Sequence, residues 1–206
     1  MHPSVLIANQ KSLLTLIKKE FAKDFYLAGG TAIALQIGHR RSVDFDLFTN
    51  QNIKRFSIKK IFDNSQYQIQ QIIYEAYDQI HMIVNDVKVT FFSYPYQVDA
   101  PVIFQGRINM PALIDLAAMK AYALGGRGKW KDYVDLYFLL KNHFEITQIE
   151  QRAQSIYREF FNQKLFREQL AYYDDIDYSE VVDFIGKEVP KEDVTEFLTK
   201  VALTSF

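Results

Sequence analysis

The strongest constraint on the fold of this chain comes from one segment, residues 25–48. The segment is predicted to form an apolar strand, a turn at Gly29 and Gly30, a short helix, and a second strand that contains Asp44 and Asp46. Because side chains alternate along a strand, both aspartates are expected on one face, with apolar residues on the other. The segment therefore predicts an α/β unit in which two carboxylates project beside a glycine turn.

The carboxylates and the glycines together favour a nucleotide site. Two carboxylates on one strand face can hold a divalent cation such as Mg²⁺ through oxygen ligands. Gly29 and Gly30 allow a ligand close to the backbone, and the N-terminus of the following helix presents N–H groups to an anion. Carboxylate pairs also arise by chance, as at residues 175–177, so a turn with two solvated aspartates is the alternative.

Two stretches resemble a known family. Residues 29–48 follow the pattern Gly-Gly-Thr-Ala-x-Ala-Leu-x-x-Gly-His-Arg-x-Ser-x-Asp-x-Asp-Leu-Phe, which resembles the signature of AbiEii-type nucleotidyltransferases. These are toxins of bacterial abortive-infection and toxin–antitoxin systems within the DNA polymerase β-like nucleotidyltransferase superfamily. Residues 114–140 resemble the family's later block, Lys…Arg…Lys-Asp-x-x-Asp-Leu.

The resemblance implies an Mg²⁺-dependent enzyme that transfers NMP from an NTP to a hydroxyl group and releases pyrophosphate. The 3′ end of tRNA is then a possible acceptor, and an antitoxin protein a possible partner. The implied catalytic carboxylates are Asp44, Asp46 and Asp132, of which Asp44 and Asp46 would hold the metal. The implied nucleotide-binding residues are Gly29, Gly30, Thr31, Arg40, Ser42, Lys120 and Lys131.

Spacing alone allows a structural explanation for several of these residues. Asp132 and Asp135 stand near the start of a predicted helix, where carboxylates favour the helix dipole. Lys131 can be simply solvated, and Lys120 on an apolar helix can extend its charged end to the surface. Arg40 can stabilise the end of the preceding helix. The family resemblance instead favours triphosphate contacts for Lys120 and Lys131, a catalytic role for Asp132 and a structural one for Asp135. For Arg40 the alternative is a contact with phosphate or with the acceptor substrate.

Thr90 departs from the superfamily pattern. Related enzymes commonly place a third carboxylate on a later strand, and within residues 86–94 that position is occupied by Thr90. Either Asp132 supplies the missing base, or one metal suffices, or transfer activity is lost. Two further hypotheses therefore stay open: an NTP-dependent phosphotransferase, and a catalytically silent nucleotide- or RNA-binding module.

The composition excludes several other classes of protein. The chain has 206 residues, of which 49% are hydrophobic and 15% aromatic, so it can bury a sizeable core. A net charge of −1 gives no overall attraction to nucleic acid or to anionic membranes. The absence of cysteine excludes disulfides and thiolate zinc sites. No apolar stretch approaches the roughly eighteen residues of a membrane span, so we expect a cytoplasmic protein without membrane partners.

The remaining sequence predicts a mixed sheet followed by helices. Residues 5–21 and 53–64 are predicted helices, the second with Phe56, Ile58, Ile61 and Phe62 as core candidates. Predicted strands cover residues 67–74, 79–84 and 87–93, with a hairpin turn at residues 85–86 and no strand after residue 101. Later helices are predicted near residues 112–124, 131–142, 146–161, 164–172 and 191–203.

These elements predict an α/β (α+β) fold in which a nucleotidyltransferase-like mixed β-sheet with flanking helices is followed by a helical C-terminal half. The expected domains are 1–108, nucleotidyltransferase-like, and 109–206, helical and closing the cleft.

Overall fold

The computed structural model describes residues 1–126 and 128–204. The chain forms two compact units, Met1–Ala112 and Leu113–Phe206. The first unit is a mixed α/β structure and the second is helical.

The first unit is built on a five-stranded sheet with the order β1-β2-β5-β4-β3. Only β2 and β5 are parallel, and every other neighbouring pair is antiparallel. The strands of this sheet are β1 (Tyr26–Ala28), β2 (Asp44–Thr49), β3 (Ile69–Glu75), β4 (Gln79–Val84) and β5 (Val87–Ser93). The helices of the unit are α1 (Ala8–Glu20), α2 (Gly29–Ile37) and α3 (Arg55–Asp63). A separate hairpin contains β6 (Val102–Phe104) and β7 (Ile108–Met110).

One face of the sheet forms the core of the first unit. Phe45 and Leu47 of β2 are buried, while the alternate positions of that strand are half-buried. Phe21, which follows α1, packs with Phe62 of α3 and Phe91 of β5, with ring centroids 5.6 and 4.7 Å from its own. Helices α1 and α3 therefore cover the face that carries Phe45, and the aspartates of β2 lie on the other face.

The sequence predicted most of these elements. Strands β4 and β5 have the predicted bounds, and the turn between them contains Asn85 and Asp86 at φ 47° and 64°. Two consecutive positive φ angles characterise the type I′ turn that suits the twist of a hairpin. The expected mixed sheet with flanking helices and a helical C-terminal half is confirmed.

Two local predictions were wrong. Phe56 is 77% exposed, because Ile58 and Phe62, one helical turn apart, define the buried side of α3 and Phe56 projects from the opposite side. The hairpin of β6 and β7 was also missed. Its strands have only three residues each, too few to show a period along the sequence.

The described part of the second unit contains five α-helices, all predicted from the sequence. They are α4 (Leu113–Leu124), α5 (Trp130–Asn142), α6 (Ile146–Tyr157), α7 (Gln163–Leu170) and α8 (Lys191–Ala202). A buried ion pair joins α6 to α7, in which Arg167 donates to both carboxylate oxygens of Glu150 at 2.5 and 2.9 Å. No helix in the described part of the chain is long and apolar enough to cross a membrane.

Candidate nucleotide and metal site

The carboxylate of Asp46 lies directly against Gly29. Gly29 begins α2 with a φ of +67°, and a Cβ atom built on it would lie 2.1 Å from Oδ2 of Asp46. Ala28, immediately before it, pairs in register with Asp46 on the neighbouring strand. The carboxylate thus fills the space that any other residue at position 29 would need, and the glycine is required for this contact.

The start of α2 offers amide groups to an anion. Ala28 occupies the N-cap and provides no side-chain hydrogen bond to the first turn. Gly29 and Gly30 are both half-buried and bring no side chain to the helix end. The first-turn N–H groups, together with the positive end of the helix dipole, are suited to a phosphate group close to Asp46.

Thr31 and Ser42 hold the start of β2. The Thr31 hydroxyl donates to the main-chain carbonyl of Asp44 and lies 2.7 Å from the Ser42 hydroxyl. Both side chains are buried, and Gln10 of α1 also donates to the Asp44 carbonyl at 3.5 Å. These contacts fix the backbone that carries Asp44, so the two hydroxyl side chains act here as positioning groups.

The register of β5 sets the neighbours of the two aspartates. Asp44 is opposite Lys88, and Asp46 is opposite Thr90. The position beside Asp46 therefore carries a buried hydroxyl group and no carboxylate. No group of three or more His, Cys, Asp and Glu residues is arranged to hold a metal in residues 1–126 and 128–204.

The donor set nevertheless fits Mg²⁺. Asp44 and Asp46 occupy alternate positions of one strand, and Mg²⁺ binds through one or two carboxylates while it keeps several waters or accepts substrate phosphates. The contact of Asp46 with Gly29 places one of these candidate ligands next to the N-terminus of α2. Arg40, in the hinge before β2, is buried, and its Nη1 donates to the carbonyl of Arg41 at 3.0 Å.

The second unit contains a buried charge cluster of Lys120, Asp132 and Asp135. Nζ of Lys120 on α4 lies 2.7 Å from Oδ1 of Asp132 and 3.0 Å from Oδ2 of Asp135, both on α5. All three side chains are at most 7% exposed, so Lys120 does not extend to the surface. Burying charged side chains is costly unless they are paired, and here the ammonium group of Lys120 pairs with both carboxylates.

Lys131 belongs to a different cluster. Lys129 and Lys131 both bind the carboxylate of Glu180, with Nζ–O distances of 2.7 and 2.8 Å. Hydrogen bonds from these lysines lower the pKa of Glu180 to about 2. Backbone hydrogen bonds join the segment before α5 to the segment that precedes Glu180, since the amide of Asp177 donates to the carbonyl of Gly128 at 2.7 Å. Sequence patterns do not indicate Glu180, because its partners lie about fifty positions earlier in the chain.

A family model and a curated relative each match most of this chain. The family model of the nucleotidyl transferase AbiEii toxin, Type IV toxin–antitoxin system, matches residues 11–204. A protein of Aquifex aeolicus (strain VF5), described as uncharacterized, is 31% identical over 175 residues and covers 81% of this chain and 82% of its own length.

Two solved structures share the fold. MenT4, a nucleotidyltransferase toxin from Mycobacterium tuberculosis H37Rv, has a TM-score of 0.65 at 14% identity, covering 94% of this chain and 80% of MenT4. JHP933 from Helicobacter pylori has a TM-score of 0.56 at 18% identity, covering 94% of this chain and 89% of JHP933. Since the family model extends over nearly the whole sequence, the chain belongs to the AbiEii family of nucleotidyltransferase toxins.

Proposed function

We propose that this nucleotidyltransferase moves NMP from an NTP to a hydroxyl acceptor at a site built on Gly29, Asp44 and Asp46, in an Mg²⁺-dependent reaction. The observation that supports this most is the contact between the Asp46 carboxylate and Gly29. It puts the carboxylate that we propose as a metal ligand beside the helix end that we propose binds phosphate.

The reaction is a displacement at the α-phosphorus. The oxygen of the acceptor hydroxyl forms a bond to phosphorus, the bond between the α and β phosphates breaks, and pyrophosphate leaves. A bound Mg²⁺ would supply positive charge to the phosphate oxygens. Asp44 and Asp46 would hold that ion, while the amides of Gly29, Gly30 and Thr31 would bind the triphosphate.

The remaining candidate residues are assigned through the family pattern. Arg40 and Ser42 are proposed to support the nucleotide site from the hinge before β2, and Ser42 acts by fixing that backbone. Lys120 and Lys131 are proposed triphosphate ligands. Asp132 is the proposed acceptor of the hydroxyl proton, a role that Thr90 cannot fill because a threonine hydroxyl is not a base at neutral pH.

Membership of a Type IV toxin–antitoxin family supports an antitoxin as a partner. We propose the 3′ end of tRNA as the first acceptor to test, an antitoxin protein as the partner that neutralises the toxin, and the cytoplasm as the place of action. A toxin that modifies an intracellular RNA would need no membrane contact.

A second candidate function rests on Thr90. Because Thr90 stands at the register position beside Asp46, the carboxylate set is reduced, and a nucleotide-binding module without transfer activity is the alternative. Phosphotransfer from the γ position of the NTP is a third outcome that the same experiment distinguishes.

Radioactive NTPs test the proposal. Each of the four NTPs, labelled at the α or at the γ phosphate, is incubated with the protein, Mg²⁺ and total tRNA. Transfer of the α label to RNA supports nucleotidyl transfer, transfer of the γ label supports a phosphotransferase, and binding without transfer supports the silent module. Asp46→Asn should abolish transfer of the α label. Asp63→Asn should leave it unchanged, because Asp63 is an exposed aspartate at the end of α3.

A further inference from the structure

A row of four side chains crosses the sheet of the first unit from Asp46 to its edge. Asp46 is opposite Thr90 on β5, Thr90 is opposite His81 on β4, and His81 is opposite Tyr74 on β3. Residues directly opposite on neighbouring strands project from the same face of a sheet. Because strands lie about 4.8 Å apart, Tyr74 stands about 14 Å from Asp46 along this row.

The outer half of the row is aromatic and accessible. Tyr74 is 52% exposed, and its ring meets that of His81 edge-to-face with centroids 5.6 Å apart. Gln79 orients the histidine, since its Oε1 lies 2.7 Å from Nε2 of His81. Thr90, between His81 and Asp46, is buried. The row therefore runs from the candidate metal ligands to an open aromatic surface at the edge strand.

Basic side chains of α3 lie at the same edge strand, on the face of the sheet opposite to the row, because Glu75 pairs with the buried Ile80. Arg55 and Lys59 of α3 share one carboxylate, that of Glu75, at 3.4 and 3.1 Å. The same helix segment also carries Lys54 and Lys60, both exposed, so cations outnumber carboxylates here. Such a patch suits a phosphate backbone that passes around the edge strand, even though the net charge of the whole chain is close to zero.

We propose that His81 and Tyr74, at the outer end of this row, bind the single-stranded end of a nucleic-acid acceptor, with bases stacked on the two rings. The proposal rests on the proposed function, because transfer requires the acceptor hydroxyl to come close to Asp46. The row leads to that point along the sheet surface. Aromatic side chains stack on bases of any sequence, and the bases must be unpaired to reach them.

Binding of a short fluorescent single-stranded RNA, followed by anisotropy without NTP, tests the proposal independently of catalysis. Tyr74→Ala should weaken binding about tenfold, as expected for the loss of one stacked base. Tyr74→Phe keeps the ring and should change affinity less than about twofold. Tyr77→Ala is the matched control, because Tyr77 is 83% exposed in the neighbouring turn but lies outside the row. Duplex RNA should bind the native protein more weakly than the single strand.

Kinetics separate this proposal from the proposed function. If transfer occurs, Tyr74→Ala should raise the KM for the RNA acceptor and leave the KM for NTP unchanged. An unchanged KM for the RNA acceptor would refute acceptor binding by the row and would leave the proposal of nucleotidyl transfer intact.

If the native protein shows no transfer activity but Tyr74→Ala loses RNA binding, the row binds RNA in a protein that is catalytically silent. Equal losses in Tyr74→Ala and Tyr77→Ala, or no RNA binding by the native protein, would refute the row as an acceptor site. Weakened antitoxin binding with unchanged RNA binding would make this edge a protein interface instead.

Discussion

Replacing Gly29 by alanine would place a methyl group where the Asp46 carboxylate now lies. The new Cβ would be 2.1 Å from Oδ2 of Asp46, whereas ordinary contacts begin near 3.4 Å. One of the two groups must move by about an ångström, since carbon and oxygen atoms repel strongly at shorter distances. Because the backbone at Gly29 is fixed between β1 and α2, we expect the carboxylate to move.

The cost has two parts. An alanine at a φ of +67° loses about 1–2 kcal/mol of conformational energy, partly offset because alanine also restricts the unfolded chain. Displacing the packed carboxylate adds about 1–3 kcal/mol, the usual range for overpacking. We expect Gly29→Ala to lower the free energy of unfolding by about 2–4 kcal/mol and to abolish Mg²⁺-dependent NTP binding.

Gly106→Ala is the matched control. Gly106 has a φ of +71°, nearly that of Gly29, but a Cβ atom there would have no heavy atom within 4 Å. It should therefore cost only about 1 kcal/mol and leave NTP binding intact. Urea unfolding followed by circular dichroism gives both values, and calorimetric titration measures NTP binding.

A double-mutant cycle isolates the contact with the carboxylate. Asp46→Ala removes the group that the methyl would strike, so it should recover about 1–3 kcal/mol in the Gly29→Ala background. If Gly29→Ala and Gly106→Ala are equally destabilising and Asp46→Ala recovers nothing, the carboxylate does not pack over the glycine and the reasoning fails.

Two further outcomes concern the second unit. The pKa of Glu180 is lowered from 4.5 to about 2, so its two lysine partners contribute stability that is fully present above pH 4.5 and is lost as the pH falls toward 2. For this partly exposed group the contribution is about 1 kcal/mol after solvent screening, and Glu180→Gln should remove that part of the pH dependence measured in urea titrations. Lys120→Met leaves the buried carboxylates of Asp132 and Asp135 without their shared cation and should cost about 3–5 kcal/mol, against no measurable loss for Lys164→Met at the surface. A loss below about 1 kcal/mol for Lys120→Met would show that the ion cluster is not structural.

Local patterns in the sequence determined the framework of the site. Alternation in β2 predicts a shared face for Asp44 and Asp46, and the burial pattern of that strand agrees. The turn at residues 85–86 follows from the tolerance of asparagine and aspartate for positive φ. The glycine pair predicts a close approach of another group at the start of α2, and the family pattern assigns the chemistry. These features depend on neighbours a few positions away, which is why the sequence reveals them.

Tertiary structure alone decided which distant residues meet. The pairing of β2 with β5 is parallel and joins segments about forty positions apart, so nothing local indicates that Thr90 stands beside Asp46. The row from Asp46 to Tyr74 depends on three such registers. Glu180 reaches its lysines only because residues 128 and 177 are hydrogen-bonded. Strand register and helix packing are set by burial of the whole core, and a single sequence does not display those pairings.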